Sequence, residues 1–282
     1  MKKISLILIC MAILVINISC SMNNEKGEIT KESSEIESIT KDETTTRERK
    51  IEEYTNVYGK IDIYKEIQAN PKEDFVYHLN SDNNIVIDEY IGKDALLVFP
   101  NEIDGKAVTE IGKLEKNNYV TDIQIGVSVK KIADYAFSEW EKLKQVSIFV
   151  DKEYIGNGAF AKCPNLELAA IGDADKLGEG IFYECNKLKE VRVEGNINIL
   201  PKDTFAGCVA LEDVRLSLEL ESIEEGCFDK CASIQSIYLS KNVNSIKSFP
   251  KNANMIAYKD SYAYQYAKEN GIQIELNDAD LY

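Results

Sequence analysis

One short pattern recurs along this chain and limits what it can fold into. It reads Phe160-Ala-Lys-Cys163-Pro-Asn-Leu166, Phe182-Tyr-Glu-Cys185-Asn-Lys-Leu188, Phe205-Ala-Gly-Cys208-Val-Ala-Leu211 and Phe228-Asp-Lys-Cys231-Ala-Ser-Ile234. A fifth copy, Phe137-Ser-Glu-Trp140-Glu-Lys-Leu143, carries Trp at the Cys position. Successive phenylalanines are 23, 22, 23 and 23 residues apart, and Ile132, Ile155, Leu177, Leu200 and Ile223 each stand five positions before one of them. Each copy runs on into a short alternating segment, such as Leu188-x-x-Val191-x-Val193. A unit this short cannot bury its apolar face alone, so neighbouring units must stack and share one continuous core.

The period and the L-x-x-L-x-L spacing predict a β-rich leucine-rich-repeat solenoid. Its short parallel strands would line the concave face, and short helical or 3-10 turns would form the convex face. Six or seven rungs are expected over 113–248. Residues 54–112 read as an N-terminal β cap and 249–282 as a C-terminal helical cap, because the end rungs need their apolar faces covered. In the latter, Asp260 is the expected N-cap, and Gly271 suits the residue after the last helical one.

The first 53 residues carry no repeat. Lys2 and Lys3 precede the apolar run Ile4 to Ile16, which is too short for an ordinary membrane span and reads as a signal peptide over 1–19. Asn17-Ile18-Ser19-Cys20 resembles the lipobox of bacterial lipoproteins, which implies cleavage before Cys20 and a lipid on it. Residues 21–53 hold ten acidic and six basic residues with many Ser and Thr, a composition expected to form a disordered tether. Losing Lys2 and Lys3 would take the formal charge from −15 to −17. So acidic a chain is a poor match for nucleic acid or an anionic bilayer, which leaves the lipid as the membrane attachment.

Catalytic chemistry has little to work with. His78 is the single histidine, so a triad or a two-His metal site is out of reach, and no phosphate or calcium loop is present. No cofactor is expected. A carboxylate-based hydrolase stays open only because 48 acidic residues allow accidental pairs.

Cys163, Cys185, Cys208 and Cys231 occupy one equivalent position in consecutive rungs. Their Cβ vectors would run parallel about 5 Å apart, whereas a disulfide needs Cβ atoms converging to about 3.8 Å. With Phe137, Phe160, Phe182, Phe205 and Phe228 they are expected to form a buried structural ladder. Cys227, beside Phe228, is expected to be the accessible thiol.

Strand residues that alternate away from the core should line the concave face. They include Gln124, Phe149, Leu168, Arg192, Arg215 and Tyr238. Phe149 and Leu168 would supply apolar surface, while Arg192, Arg215 and Tyr238 would share one column and offer directional donors. These five are the candidate ligand-binding residues. The plainer alternatives are that residues 54–73 cover the apolar pair and that the arginines only neutralise Glu190 and Asp213.

Residues 74–274 resemble the BspA-like (treponemal-type) leucine-rich repeat family. The resemblance rests on the opening Tyr90-Ile-Gly…Phe99-Pro-x-x-Ile-Asp-Gly-x-x-Val-Thr-x-Ile-Gly112, on the Ala-Phe-x-x-Cys-x-x-Leu-x-x-Val repeat, and on the closing Asp260-Ser-Tyr-Ala-Tyr-Gln-Tyr-Ala-Lys-Glu-Asn-Gly271. It implies a curved solenoid placed outside the cell or on its surface, in a family whose reported roles are adhesion and host- or matrix-protein binding; the partner expected here is a protein or glycan at the cell envelope. One departure from the wider class is that no asparagine recurs in every rung three residues after the strand, where this chain has Asp151, Ala174, Asn196, Glu219 and Asn242. The resulting expectation is a non-enzymatic, monomeric, lipid-anchored adhesion or interaction module. A structural envelope lipoprotein without a soluble ligand is the alternative.

Overall fold

The computed structural model describes residues 68–149 and 152–277, with the backbone of two short antiparallel strands, Thr55–Asn56 and Gly59–Lys60. The signal segment, Cys20, the tether and most of residues 54–67 lie outside the described residues. The chain divides into a unit ending at Asp62 and a second from Ile63, which holds everything below.

The second unit is a β-solenoid of about eight turns. Six parallel strands form its first sheet: Leu96–Val98, Asp122–Ile125, Gln145–Ile148, Leu168–Ile171, Glu190–Val193 and Asp213–Arg215. A separate parallel trio, Ser236–Tyr238, Asn254–Ala257 and Ile274–Leu276, follows it. More turns form than the six or seven expected. Leu96–Val98 and Asn254–Ala257, assigned to the caps from sequence, add strands to the same stack.

A second sheet runs down the other side. The antiparallel pair Phe75–Leu79 and Ile85–Tyr90 leads in parallel to Lys106–Ile111, Lys131–Ile132 and Tyr154–Ile155. Isolated parallel bridges, Lys152 to Ala174 and Ile155 to Leu177, extend it. After a gap, Ile199–Leu200, Ser222–Ile223 and Ser245–Ile246 continue as a separate sheet.

The helical convex turns expected from sequence are not what the chain forms. Two-residue strands alternate there with tight turns, and helix among the described residues is confined to the 3-10 turn Lys72–Asp74 and the α-helix Tyr262–Asn270. The reason lies in the backbone. Two residues before each ladder Phe, at Tyr135, Gly158, Gly180, Asp203 and Gly226, φ is positive. It is positive again two residues after, at Glu139, Lys162, Glu184, Gly207 and Lys230. A right-handed helix cannot continue through a left-handed residue, and here two fall within five positions. The freed N–H groups donate to the next rung instead: Tyr135 to Asn157 O, Glu139 to Ala161 O and Glu184 to Ala206 O, each at 2.8 Å.

Packing follows the repeat. Phe137, Phe160, Phe182, Phe205 and Phe228 stack in one column with centroid spacings of 5.1, 5.9, 5.9 and 5.6 Å. Phe99 meets Phe137 edge-on at 6.1 Å and Phe75 continues the aromatic contact to Tyr90. Burying each such side chain stabilises the fold by roughly 1.5–3 kcal/mol. Trp140 is also fully buried, edge-on to Phe137, and its Nε1 has no hydrogen-bond partner among the described residues.

Both ends of the stack are closed. At the first strand, the Asn70 N–H donates to Val98 O at 3.0 Å and Asn70 Oδ1 accepts from Val98 N–H at 2.7 Å. Asn70 Nδ2 reaches Tyr90 Oη at 3.0 Å and Asp94 Oδ2 at 2.9 Å, so this buried amide satisfies the sheet edge as another strand would. At the far end the helix buries Ala263 and Ala267. Its N-cap is Ser261, whose Oγ accepts from Tyr264 N–H, rather than Asp260, whose own φ is +64°. Gly271 ends it in the left-handed region.

Candidate binding surfaces

The ladder thiols face inward. Cys163, Cys185, Cys208 and Cys231 each donate to the carbonyl of the Phe one rung earlier, Phe137, Phe160, Phe182 and Phe205, at 3.1–3.2 Å. All four are buried and free. Burial disfavours the thiolate, which holds the Cys185 and Cys208 thiols well above their ordinary range and pushes Cys231 up to about 12. Cys227 is buried too, so the expectation of an accessible thiol fails. It follows the left-handed Gly226, which turns the side chain inward, where its hydrogen-bond neighbour is Thr204, and burial raises its pKa.

The candidate concave residues are brought together only in part. Arg192 and Arg215 are direct cross-strand partners, as are Glu190 and Asp213 one row away. Each arginine turns back onto the acid of its own strand. Arg192 reaches Glu190 Oε1 at 2.6 Å, and Arg215 reaches Asp213 Oδ2 at 3.3 Å. The Arg215 pair is nearly half exposed and the Arg192 pair much less so, so solvent screens the former more.

Tyr238 is one rung beyond, in the separate trio of strands. Its hydroxyl lies 3.1 Å from Tyr258 Oη, and Lys241 Nζ sits 4.4 Å from the Tyr258 ring centre. Burial first, then that hydrogen bond, pushes Tyr238 up to about 12. Strand pairing therefore breaks between Arg215 and Tyr238, although their two strands remain adjacent.

Phe149 and Leu168 do not form one apolar patch. Leu168 pairs with Gln145, whereas Phe149 follows Ile148, which pairs with Ile171. The two thus stand at opposite ends of the strands, about four residues or ~13 Å apart along the strand direction. Gln124, read as concave surface, is buried, and its Nε2 lacks a partner among the described residues.

Polar clamps that sequence reading missed join rungs along their turns. Asp134 accepts from Asn157 N–H and Nδ2 and from Tyr154 Oη, and Asp173 accepts from Asn196 N–H and Nδ2, all at 2.8–3.0 Å. The Asp-to-Asn spacing of 23 residues is the signal that could have found them. Burial acts to raise the Asp134 pKa, but those hydrogen bonds outweigh it and hold the carboxyl below its usual range. His78 is exposed, with Nδ1 2.8 Å from Asp88 Oδ2. Among the described residues no group of three or more His, Cys, Asp and Glu could hold a metal ion, and no helix is long and apolar enough to cross a membrane.

These rungs define a leucine-rich repeat protein, a class that generally works as a protein-interaction module. Residues 109–195 and 153–255 match the family described as "BspA type Leucine rich repeat region", in six copies, and the chain belongs to that family. A leucine-rich cell surface protein from Faecalibacterium prausnitzii shares 22% identity and the fold, with a TM-score of 0.53 over 68% of this chain and 55% of its own. This chain thus spans about half the length of that protein. A leucine-rich repeat protein from Treponema pallidum is 23% identical over 74% of this chain and 98% of its own, with a TM-score of 0.48. No match was found among curated protein sequences.

Proposed function

We propose that the chain is a non-enzymatic envelope lipoprotein whose solenoid binds a protein or glycan partner on its concave sheet. The observation that carries this reading is the quartet Glu190, Arg192, Asp213 and Arg215, set on two adjacent strands of a rigid parallel sheet. Strands fix such groups in place, so a partner with complementary charges can exchange for the internal pairs with little loss of side-chain freedom. Leu168 adds apolar surface two strands from Arg215 and one from Arg192. Phe149 and Tyr238 would mark the two outer limits of the footprint. Export, a lipid on Cys20, attachment to the cell membrane or surface and a monomeric state complete the proposal; the apolar run before Cys20 supports the first two. The intra-strand ion pairs also suit the alternative, a structural lipoprotein in which they only neutralise the sheet.

The test is capture of partners from envelope extract with the purified chain, repeated with Arg192→Ala/Arg215→Ala. Interface anchors of this kind contribute about 2 kcal/mol or more, roughly thirtyfold in affinity. A captured partner whose affinity is unchanged in that variant would remove the concave face from the proposal. Absence of any partner would leave the structural alternative.

A further inference from the structure

On the turns of the opposite side, Tyr135, Gly158, Gly180 and Asp203 occupy one column. Tyr135 N–H donates to Asn157 O, Gly158 N–H to Glu179 O and Gly180 N–H to Lys202 O, so successive rungs are tied at this point. A groove of about 650 Å³ opens over the column. Tyr135 stands at one end, half exposed, and Tyr183 at the other, about a third exposed. Between them the floor is Gly158 and Ala161.

The glycine here is required by more than its left-handed φ of +56°. A Cβ on Gly158 would lie 2.6 Å from the Tyr135 ring, so the ring rests against bare backbone of the next rung with its other side open. Two rungs separate the backbones of the two tyrosines, about 10 Å along the stack at ~4.8 Å per rung. Ser138, Asn157, Glu139, Glu179 and Asp203 rim the groove with hydroxyl, amide and carboxylate groups, beside one amine from Lys162; Glu139 is held by Lys116 at 2.6 Å.

We infer that this groove binds a segment of an uncharged or amino-substituted polysaccharide, with Tyr135 and Tyr183 as stacking platforms for alternate sugars. Sugar rings present apolar C–H faces that pack on aromatic rings, and their hydroxyls need acceptors around the edge. Carboxylates are strong acceptors of hydroxyl donors; with Glu139 taken by Lys116, Glu179 and Asp203 serve that role, and three carboxylates against the single Lys162 amine disfavour sulfated or uronic chains. Alternate sugars of an extended β-1,4-linked chain recur at a length similar to the two-rung step between the tyrosine backbones. A shallow floor of small residues lets such a chain lie along the solenoid axis. The inference goes beyond the concave-face proposal and does not depend on it, since no residue is shared.

The test uses the full chain, purified in detergent, with hexasaccharides of β-1,4-linked glucose, mannose, xylose and N-acetylglucosamine as probes. Dextran sulfate serves as the anionic control. Calorimetry and tyrosine fluorescence should show binding to at least one hexasaccharide and none to dextran sulfate. Tyr135→Ala/Tyr183→Ala should weaken binding at least tenfold at an unchanged melting temperature. Glu179→Gln, which keeps the surface shape and leaves the Lys116–Glu139 ion pair intact, should weaken it severalfold, and Arg192→Ala/Arg215→Ala should leave it unchanged. Failure to bind all four hexasaccharides would overturn the inference. So would stronger binding to dextran sulfate, or an affinity indifferent to loss of both tyrosines.

Discussion

Cys185 Sγ lies 3.1 Å from the carbonyl oxygen of Phe160, one rung earlier in the stack. The thiol fills a small apolar space and ties two rungs together at once. Phe and Cys recur as a pair because the side chain of one copy addresses the backbone of the copy before it.

The aromatic column makes the first prediction. Phe205→Ala should destabilise the domain by about 3–5 kcal/mol, since it removes a buried ring stacked on both Phe182 and Phe205's other neighbour, Phe228. Both interfaces of a middle rung weaken together, so the thermal transition should broaden as well as shift down. A melting curve matching the parent would show that this ring contributes nothing to the stack.

Asn70→Ala tests the closure of the first strand. The substitution leaves the Val98 N–H without its acceptor and also removes the bonds to Tyr90 Oη and Asp94. An orphaned buried donor costs about 1–3 kcal/mol. Amide exchange at Val98 and in Asp122–Ile125 should accelerate while Asp213–Arg215 keeps its protection. Uniform acceleration along the stack would mean that Asn70 acts on global stability and not on the edge.

Stability should fall as pH rises above about 9. The thiols of Cys208 and Cys231 are raised in the fold by burial, Cys231 from 9.0 to about 12. Between those values the unfolded chain loses protons that the folded chain retains, so the contribution is complete below about pH 9 and is lost towards pH 12. Urea midpoints at pH 7, 9 and 10.5 should therefore decrease over the last interval. Cys208→Ala should be less stable than the parent at pH 7 but show a shallower decline. An equal slope in both would exclude this thiol from the alkaline transition.

The proposed anchor makes a fourth prediction. Cys20→Ser should move the protein from the detergent phase to the aqueous phase, or leave the signal uncleaved, because one cysteine would carry all the attachment. Detergent partitioning by a cleaved Cys20→Ser protein would show that membrane binding comes from elsewhere.

The repeat was legible because a five-fold pattern of Phe, Cys and Leu requires a stacked core whatever the rest of the chain does. The parallel strands followed from the same spacing. The convex turns were misread as helical, although Gly158, Gly180, Gly207 and Gly226 already pointed to left-handed positions. Asn70 carries no periodic signal, since its role depends on the distant Val98, Tyr90 and Asp94. Phe149 and Leu168 were grouped by alternation alone; applying the 23-residue step would have paired Leu168 with Gln145 and separated them. Tyr238 obeys that step, yet the first sheet ends at Arg215, which no local pattern announces.

The two gaps in the sheets fall in different rungs. Where the first sheet stops between Arg215 and Ser236, Ser222–Ile223 is still bonded to Ser245–Ile246 on the other side. Where the second stops between Leu177 and Ile199, Leu168–Ile171 is still bonded to Glu190–Val193. The arrangement is that of brickwork laid so that no vertical joint runs through two courses. A crack opening at either joint meets unbroken material behind it, so the solenoid has no plane along which it parts cleanly.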